Sequence, residues 1–241
     1  HYRSRGRVET LREQTGNKGY ASGFEGLIAF IMALVPSNEV IEQSLRRTVP
    51  MFPELAVREL VANALIHQDL FVTGAGPMLE IFDDRMEITN PGLPLVDTAR
   101  MLDSPPRSRN EALASLMRRM GICEERGSGV DKVVSQAEFY QLPAPAFEVV
   151  GDSTRSTLFA PRSLTQMDQA DRVRAVYLHA CLRYVQREFM TNSSLRERFG
   201  IDTKNSATAS RLIKEALGAG MVRLHDPDAA PKLRRYVPSW A

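Results

Sequence analysis

Arg58-Glu59-Leu60-Val61-Ala62-Asn63-Ala64-Leu65-Ile66-His67 is the stretch on which the reading of this chain turns. It lies in a predicted helix over residues 54–67, where Leu55, Val61, Ala62, Leu65 and Ile66 supply the apolar positions. Glu59, Asn63 and His67 are spaced four apart and so project from one face of that helix. A carboxylate and a carboxamide one turn apart suit metal chemistry: the amide oxygen can ligate a hard cation while the carboxylate orients or deprotonates a water. The same pair also fits a solvated polar stripe, so the surrounding sequence has to decide.

Downstream, two short strands are expected at 78–82 and 86–89, joined by Asp83-Asp84-Arg85 and closed by Asn90-Pro91-Gly92. A polar loop holding Pro105, Pro106, Arg107 and Arg109 leads to a predicted helix over 110–120. Arg126-Gly127-Ser128-Gly129-Val130 then opens a helix running toward Phe139. Glycines at a helix mouth let backbone N–H groups approach an anion, which the helix N-terminus also favours. A final strand pair is expected at 147–150 and 157–160. Upstream, the pattern gives an extended arm with Arg3, Arg5 and Arg7, a helix over 23–35 stopped by Pro36, and one strand over 40–49.

Taken in order, Arg-Glu-x-x-x-Asn-Ala-x-x-His-x-Asp, Ile-Phe-Asp-Asp-Arg-x-Glu-Ile-x-Asn-Pro-Gly and Arg-x-x-Gly-Ser-Gly resemble a branch of the GHKL ATPase fold. That fold is shared by gyrase, a class of heat-shock chaperones, histidine kinases and the MutL repair proteins. Members of the branch are described as transcriptional regulators or RecG-like helicase-related proteins, often with a Schlafen/AlbA-like DNA-binding domain ahead of the ATPase-like part. The resemblance covers residues 20–160 and implies a Bergerat-type α/β sandwich within an α+β chain, with ATP and Mg²⁺ as ligands. It implies Glu59 as the acid of the first box and Asn63 as its metal ligand. Asn90 and Gly92 would occupy the second box, where the wider fold has an Asp facing the adenine amino group. Gly127, Ser128 and Gly129 would form the phosphate-facing turn, and 95–126 the nucleotide lid, with Arg107 and Arg109 reaching phosphate oxygens. Asn90 is a departure, since an amide oxygen accepts without the charge of a carboxylate. No Gly-x-x-x-x-Gly-Lys-Ser/Thr phosphate loop occurs, so a true helicase is not expected.

Residues 161–170 have the composition of a linker, dividing an ATP-binding domain at 1–162 from a second domain at 163–241. The second reads as helices at 171–187, 192–199 and 204–218 followed by a strand pair within 221–237, the element order of a winged helix, which the resemblance also implies. It carries 13 Lys and Arg against 8 Asp and Glu, whereas the rest of the chain holds 18 against 21. A basic domain on a mildly acidic body points to a polyanion. Lys204, Asn205, Arg211 and Lys214 on the third helix and Lys232, Arg234 and Arg235 on the wing are the candidate contacts to double-stranded DNA. His179, Cys181, Tyr184, Tyr236 and Trp240 read as packing residues.

The only cysteines, Cys123 and Cys181, have no metal-like or disulfide-framework spacing, which suits a reducing cytoplasm. The longest apolar run, 27–35, is far short of the roughly 20 residues of a membrane span. No signal-peptide pattern is present, and a chain opening at His1 rather than Met is expected of a piece of a longer protein. Three readings follow: a homo-oligomeric, ATP-binding transcriptional regulator; an active Mg-dependent ATPase; and a scaffold whose degenerate pocket only dimerises or binds a protein.

Overall fold

The computed structural model describes residues 1–42, 45–123 and 128–241. The chain divides into two compact units, one formed by His1–Val133 with Pro145–Ala160, the other by Val134–Ala144 with Pro161–Ala241. The architecture is mixed α+β, with seven α-helices and a four-stranded antiparallel sheet among the described residues. No helix of the described residues is long and apolar enough to cross a membrane.

In the first unit, α1 (Tyr20–Leu34) and α2 (Glu54–His67) flank a hairpin of β1 (Ser37–Glu42) and β2 (Leu45–Pro50), in which Ser37 pairs with Pro50. One strand over 40–49 was expected there. A lone strand would leave its backbone groups without partners, and doubling back provides them. The main sheet follows, from β3 (Met78–Ile81), β4 (Arg85–Pro91), β5 (Ala146–Val150) and β6 (Ser153–Phe159) in the order β3-β4-β6-β5. Met86, Ile88 and Leu158 turn one face of it into a core shared with Phe24 and Ile28 of α1 and Val57 and Leu60 of α2.

The opposite face of β4 is also covered, which alternation of apolar residues does not announce. Glu80 and Glu87 are cross-strand partners and both are buried. Facing carboxylates repel unless cations intervene. Arg7 lies 2.5 Å from Glu80 and 3.7 Å from Glu87, and Arg85 and Arg155 reach Glu87 at 2.6 and 3.5 Å. The N-terminal arm that delivers Arg7 is not extended: Tyr2 and Thr10 form a bridge, and the Tyr2 ring stacks on Phe82 at 5.0 Å. The arm folds back because that placement buries the ring and compensates both carboxylates.

Helices α3 (Glu111–Arg119) and α4 (Gly129–Phe139) complete the run before β5. Residues of α4 up to Val133 group with the first unit and those from Val134 with the second.

The second unit contains α5 (Gln169–Val185), α6 (Asn192–Phe199) and α7 (Ser206–Gly218), then the antiparallel pair β7 (Val222–Leu224) and β8 (Tyr236–Pro238). Met190, between α5 and α6, bridges to Tyr236. Asp168 caps α5 and a Thr191–Ser194 capping box opens α6, which Gly200 ends at φ +60°. Cys181 and His179 are buried in α5, and Trp240 donates to the Tyr177 hydroxyl at 2.9 Å.

The unit boundary falls at Ala160/Pro161, beside the expected linker, whereas 134–144 join the C-terminal unit rather than the N-terminal domain assigned from sequence. Side-chain chemistry explains that grouping. Glu138 lies 3.0 Å from Nδ1 of His179, whose Nε2 lies 3.0 Å from the Ser194 hydroxyl. The same carboxylate is 3.5 Å from Nε of Arg198, which donates to the Leu142 carbonyl at 2.6 Å. Arg198 is 4% exposed, and burial pushes its guanidinium below its ordinary range while Glu138 opposes that push. Removing the carboxylate strands a buried cation. Glu138→Ala is expected to lower stability by about 3–5 kcal/mol and Arg198→Met in the same background to restore much of it; urea unfolding monitored on Trp240 fluorescence measures both.

Candidate functional site

A cavity of about 610 Å³ opens in the first unit between α2, α3, the start of α4 and one face of the sheet. Glu59, Asn63 and His67 all line it, as their spacing predicts. Burial, and secondarily Arg109, lowers the His67 pKa, so the ring is neutral at neutral pH.

Asn63 donates from Nδ2 to Oε1 of Glu59 at 3.3 Å. A carboxylate can only accept, so this bond fixes which way the carboxamide faces. Its oxygen has no hydrogen-bond donor among the described residues and is the atom left to meet a ligand. Glu59 is held from its other side by backbone. A Cβ built on Gly129 would fall 2.0 Å from Glu59 Oε1 and 2.7 Å from its Cδ, so the carboxylate occupies the space a side chain would take. Ser128 and Gly129 both line the cavity, and the Ser128 carbonyl accepts from Lys132 as the first bond of α4. The N–H groups of that helix start have no intrahelical acceptor and carry the positive end of its dipole. Gly127, assigned to the same turn, lies outside the described residues.

Asn90 sits on β4 with only 7% of its surface exposed and lines the cavity with Ile88, Thr154 and Ser156. Its Nδ2 donates to the Pro91 carbonyl at 3.3 Å. That carbonyl is a pure acceptor, so this amide too is turned to present its oxygen. Gly92, assigned beside it, does not line the cavity. It adopts φ +104°, and a Cβ there would be 2.9 Å from the Asp69 Cβ, so it serves the close approach of two loops.

Arg107 lines the cavity; Arg109 does not. Arg109 donates through Nε to the His67 carbonyl at 3.1 Å and through NH2 to the Leu93 carbonyl at 2.5 Å, with Asp69 at 3.6 Å. Its neighbour Asn110 donates to the Ile66 and Gln68 carbonyls, both at 2.8 Å. These two residues close the carbonyl end of α2, which local sequence leaves uncapped, and a guanidinium so engaged is not directed at a ligand. Sequence reasoning also missed α3 as a wall. Glu111, Ala114, Ser115 and Arg118 all face the cavity, and their spacing of three, four and seven residues was the available signal. Cys123 lies beside them; burial raises its pKa, Arg118 lowers it and Glu59 raises it again, so the thiol lies within electrostatic reach of both charges.

In the second unit, Lys204, Asn205, Arg211, Lys214, Lys232, Arg234 and Arg235 are all exposed. Lys204 lies 3.5 Å from Asp202, and the Arg235 guanidinium sits over the Phe189 ring at 5.2 Å.

A family model described as "Putative ATP-dependent DNA helicase recG C-terminal" matches residues 74–158, which run from just before β3 into β6. The match supports a RecG-related, ATPase-like family for that segment; α2 with Glu59 and Asn63 precedes it. No curated protein matches the chain. Among solved structures, a crystal structure of the DIP2311 protein from Corynebacterium diphtheriae has a similar fold, with a TM-score of 0.64, 22% identity and 98% of this chain covered. The chain spans 50% of the length of that protein.

The Glu59–Gly129 contact has a direct test. Gly129→Ala should keep the fold, because the displaced group is the end of a flexible side chain, yet it should evict the carboxylate from Asn63. Stability is expected to change by about 1 kcal/mol or less, the worth of one hydrogen bond, while the Asn63 side-chain amide resonances shift. Gly26→Ala, with nothing within 4 Å of its added methyl, should leave those resonances in place.

Proposed function

We propose that the first unit binds ATP together with Mg²⁺, that the second is a winged-helix domain for duplex DNA, and that the chain is a nucleotide-responsive transcriptional regulator. The observation that carries the nucleotide reading is the convergence on one cavity of two carboxamide oxygens with fixed orientation, a helix N-terminus and a guanidinium. The Asn90 oxygen offers an acceptor to an exocyclic amine of a base, within a wall that includes the apolar Ile88 and Phe147. The start of α4 and Arg107 offer donors to phosphates. Among the described residues no group of three His, Cys, Asp or Glu could hold a metal ion. That suits Mg²⁺, which is commonly held by one or two protein oxygens together with phosphates and water. Asn63 would supply such an oxygen, and the metal would neutralise phosphate charge.

Glu59 also lines this cavity, which favours hydrolysis as the second reading: its carboxylate would take the proton of an attacking water. That carboxylate already accepts from Asn63, so slow turnover is expected. For the second unit, support comes from three helices, a β-pair, the Met190–Tyr236 bridge between them and seven exposed polar or basic residues on α7, its approach and the β7–β8 connection. The nucleotide state would then bias DNA binding. A cytoplasmic, homo-oligomeric protein is the setting this reading implies.

Calorimetry with ATP and Mg²⁺ tests the first half. Binding is expected for the wild type, and Asn63→Ala should weaken it about tenfold or more when Mg²⁺ is present and much less in EDTA. Equal weakening in both would remove Asn63 as the metal ligand, and no heat with the wild type would leave the scaffold reading. For the second half, duplex affinity should fall with salt at a log–log slope of about −0.9 per neutralised phosphate. Lys232→Ala with Arg234→Ala should flatten that slope by up to about two units, whereas Asn205→Ala should mainly reduce discrimination between sequences. A flat salt response by the folded chain would assign this face to protein contacts.

A further inference from the structure

The two guanidinium groups that line the cavity among the described residues belong to Arg107 and Arg118, and they stand at different ends. Arg109 and Asn110 tie the start of α3 to the last carbonyls of α2, those of Ile66, His67 and Gln68. Arg107 is two residues from that joint. Both helices lead away from it: Arg118 is eight residues beyond Asn110, and Glu59 is eight residues back from His67, each about 12 Å at 1.5 Å per residue. Cys123, four residues past the end of α3 at Arg119, closes the loop between these far ends, and its sulfur lies 3.9 Å from the Ala114 carbonyl one turn before Arg118. The Glu59 end also holds Asn63, Ser128 and Gly129. It is therefore the end that carries the metal ligand, the helix N-terminus and the carboxylate.

We propose that Arg118 reads the terminal phosphate of the bound nucleotide, so that the site distinguishes a nucleoside triphosphate from a diphosphate. The proposal rests on the nucleotide reading above. Its chemistry follows from charge. A terminal phosphoryl group placed beside Glu59 would meet a like charge, and Mg²⁺ held by Asn63 would offset only part of it. A guanidinium on the facing helix wall supplies a planar pair of N–H donors to two phosphoryl oxygens. A diphosphate ends short of that position and leaves Arg118 in the contacts it has without ligand. On the nucleotide reading the base and sugar would lie toward Asn90 and the sheet, away from Arg118. The residue is thus a specificity determinant, acting on the presence of one phosphoryl group.

Titration calorimetry of the full chain with MgATP and MgADP tests this, using Arg118→Gln and Arg118→Lys. The wild type should prefer ATP by about tenfold or more, the worth of one charge-assisted bidentate contact. Arg118→Gln should bring the ATP-to-ADP ratio close to one by weakening ATP alone, and Arg118→Lys should retain part of the preference as a point charge without the fork. Melting of the ligand-free variants checks that both fold; if Arg118→Gln does not, the lysine variant carries the comparison. The proposal is overturned if the wild type binds the two nucleotides equally, if the ratio survives Arg118→Gln, or if both affinities fall together. Failure of the wild type to bind either nucleotide would instead sink the nucleotide reading itself.

Discussion

The last carbonyls of α2 have no intrahelical acceptor role to play with the residues that follow, because the chain turns extended at Gln68. Buried beside a cavity, they need donors from elsewhere, and Arg109 and Asn110 provide three hydrogen bonds from about 42 residues downstream. Much else depends on this closure. It fixes where α3 begins, and hence which stripe of α3 faces the cavity. It holds the loop of residues 93–108 from its far side, since Arg109 also binds the Leu93 carbonyl. The segment expected as a nucleotide lid is therefore pinned near its middle, and any closure over a ligand has to occur on either side of residues 109–110.

A second constraint governs the polar atoms of the cavity. A carboxamide is ambiguous, since either end can turn to a ligand. Here each of the two is disambiguated by a neighbour that can only accept: the Glu59 carboxylate for Asn63 and the Pro91 carbonyl for Asn90. Both present oxygen. This gives a physical account of how Asn90 could serve at a position where, on the resemblance, the wider fold has an Asp. What is lost is charge, and so bond strength, while the direction of the acceptor is kept by a proline carbonyl rather than by the chemistry of the side chain itself.

What was legible in the sequence divides along the range of the interactions involved. The helix over residues 54–67 was read to its end residues because apolar spacing, Pro53 before it and a following polar turn are all local. The hairpin at 78–91 and the three helices of the second unit were legible for the same reason, with caps such as Thr191 and Gly200 written beside them. The role of Arg109 was not legible, because nothing near it says that α2 lacks donors. Nor was the fold of the N-terminal arm, whose Arg7 answers a carboxylate 73 residues away. The split of α4 was hidden likewise: its Glu138 is polar on an exposed-looking helix, and only His179 and Arg198 give it a buried purpose. Arg118 is within reach of a helical-face argument only once α3 is taken as a wall rather than as part of a lid.

The Asn63–Glu59 bond also bears on how the proposed metal and the carboxylate would influence one another. A cation drawing on the Asn63 oxygen polarises the amide and makes its N–H a better donor, which strengthens the bond to Glu59. The carboxylate would then be held more firmly when a metal is present, in the space that the missing side chain of Gly129 leaves for it. A carboxylate with a lone pair engaged in this way orients a water well but has less acceptor capacity left for its proton. On the proposed reading, such a site would hold a nucleotide for longer than it cleaves it. It would then signal by occupancy, as the proposed regulator requires.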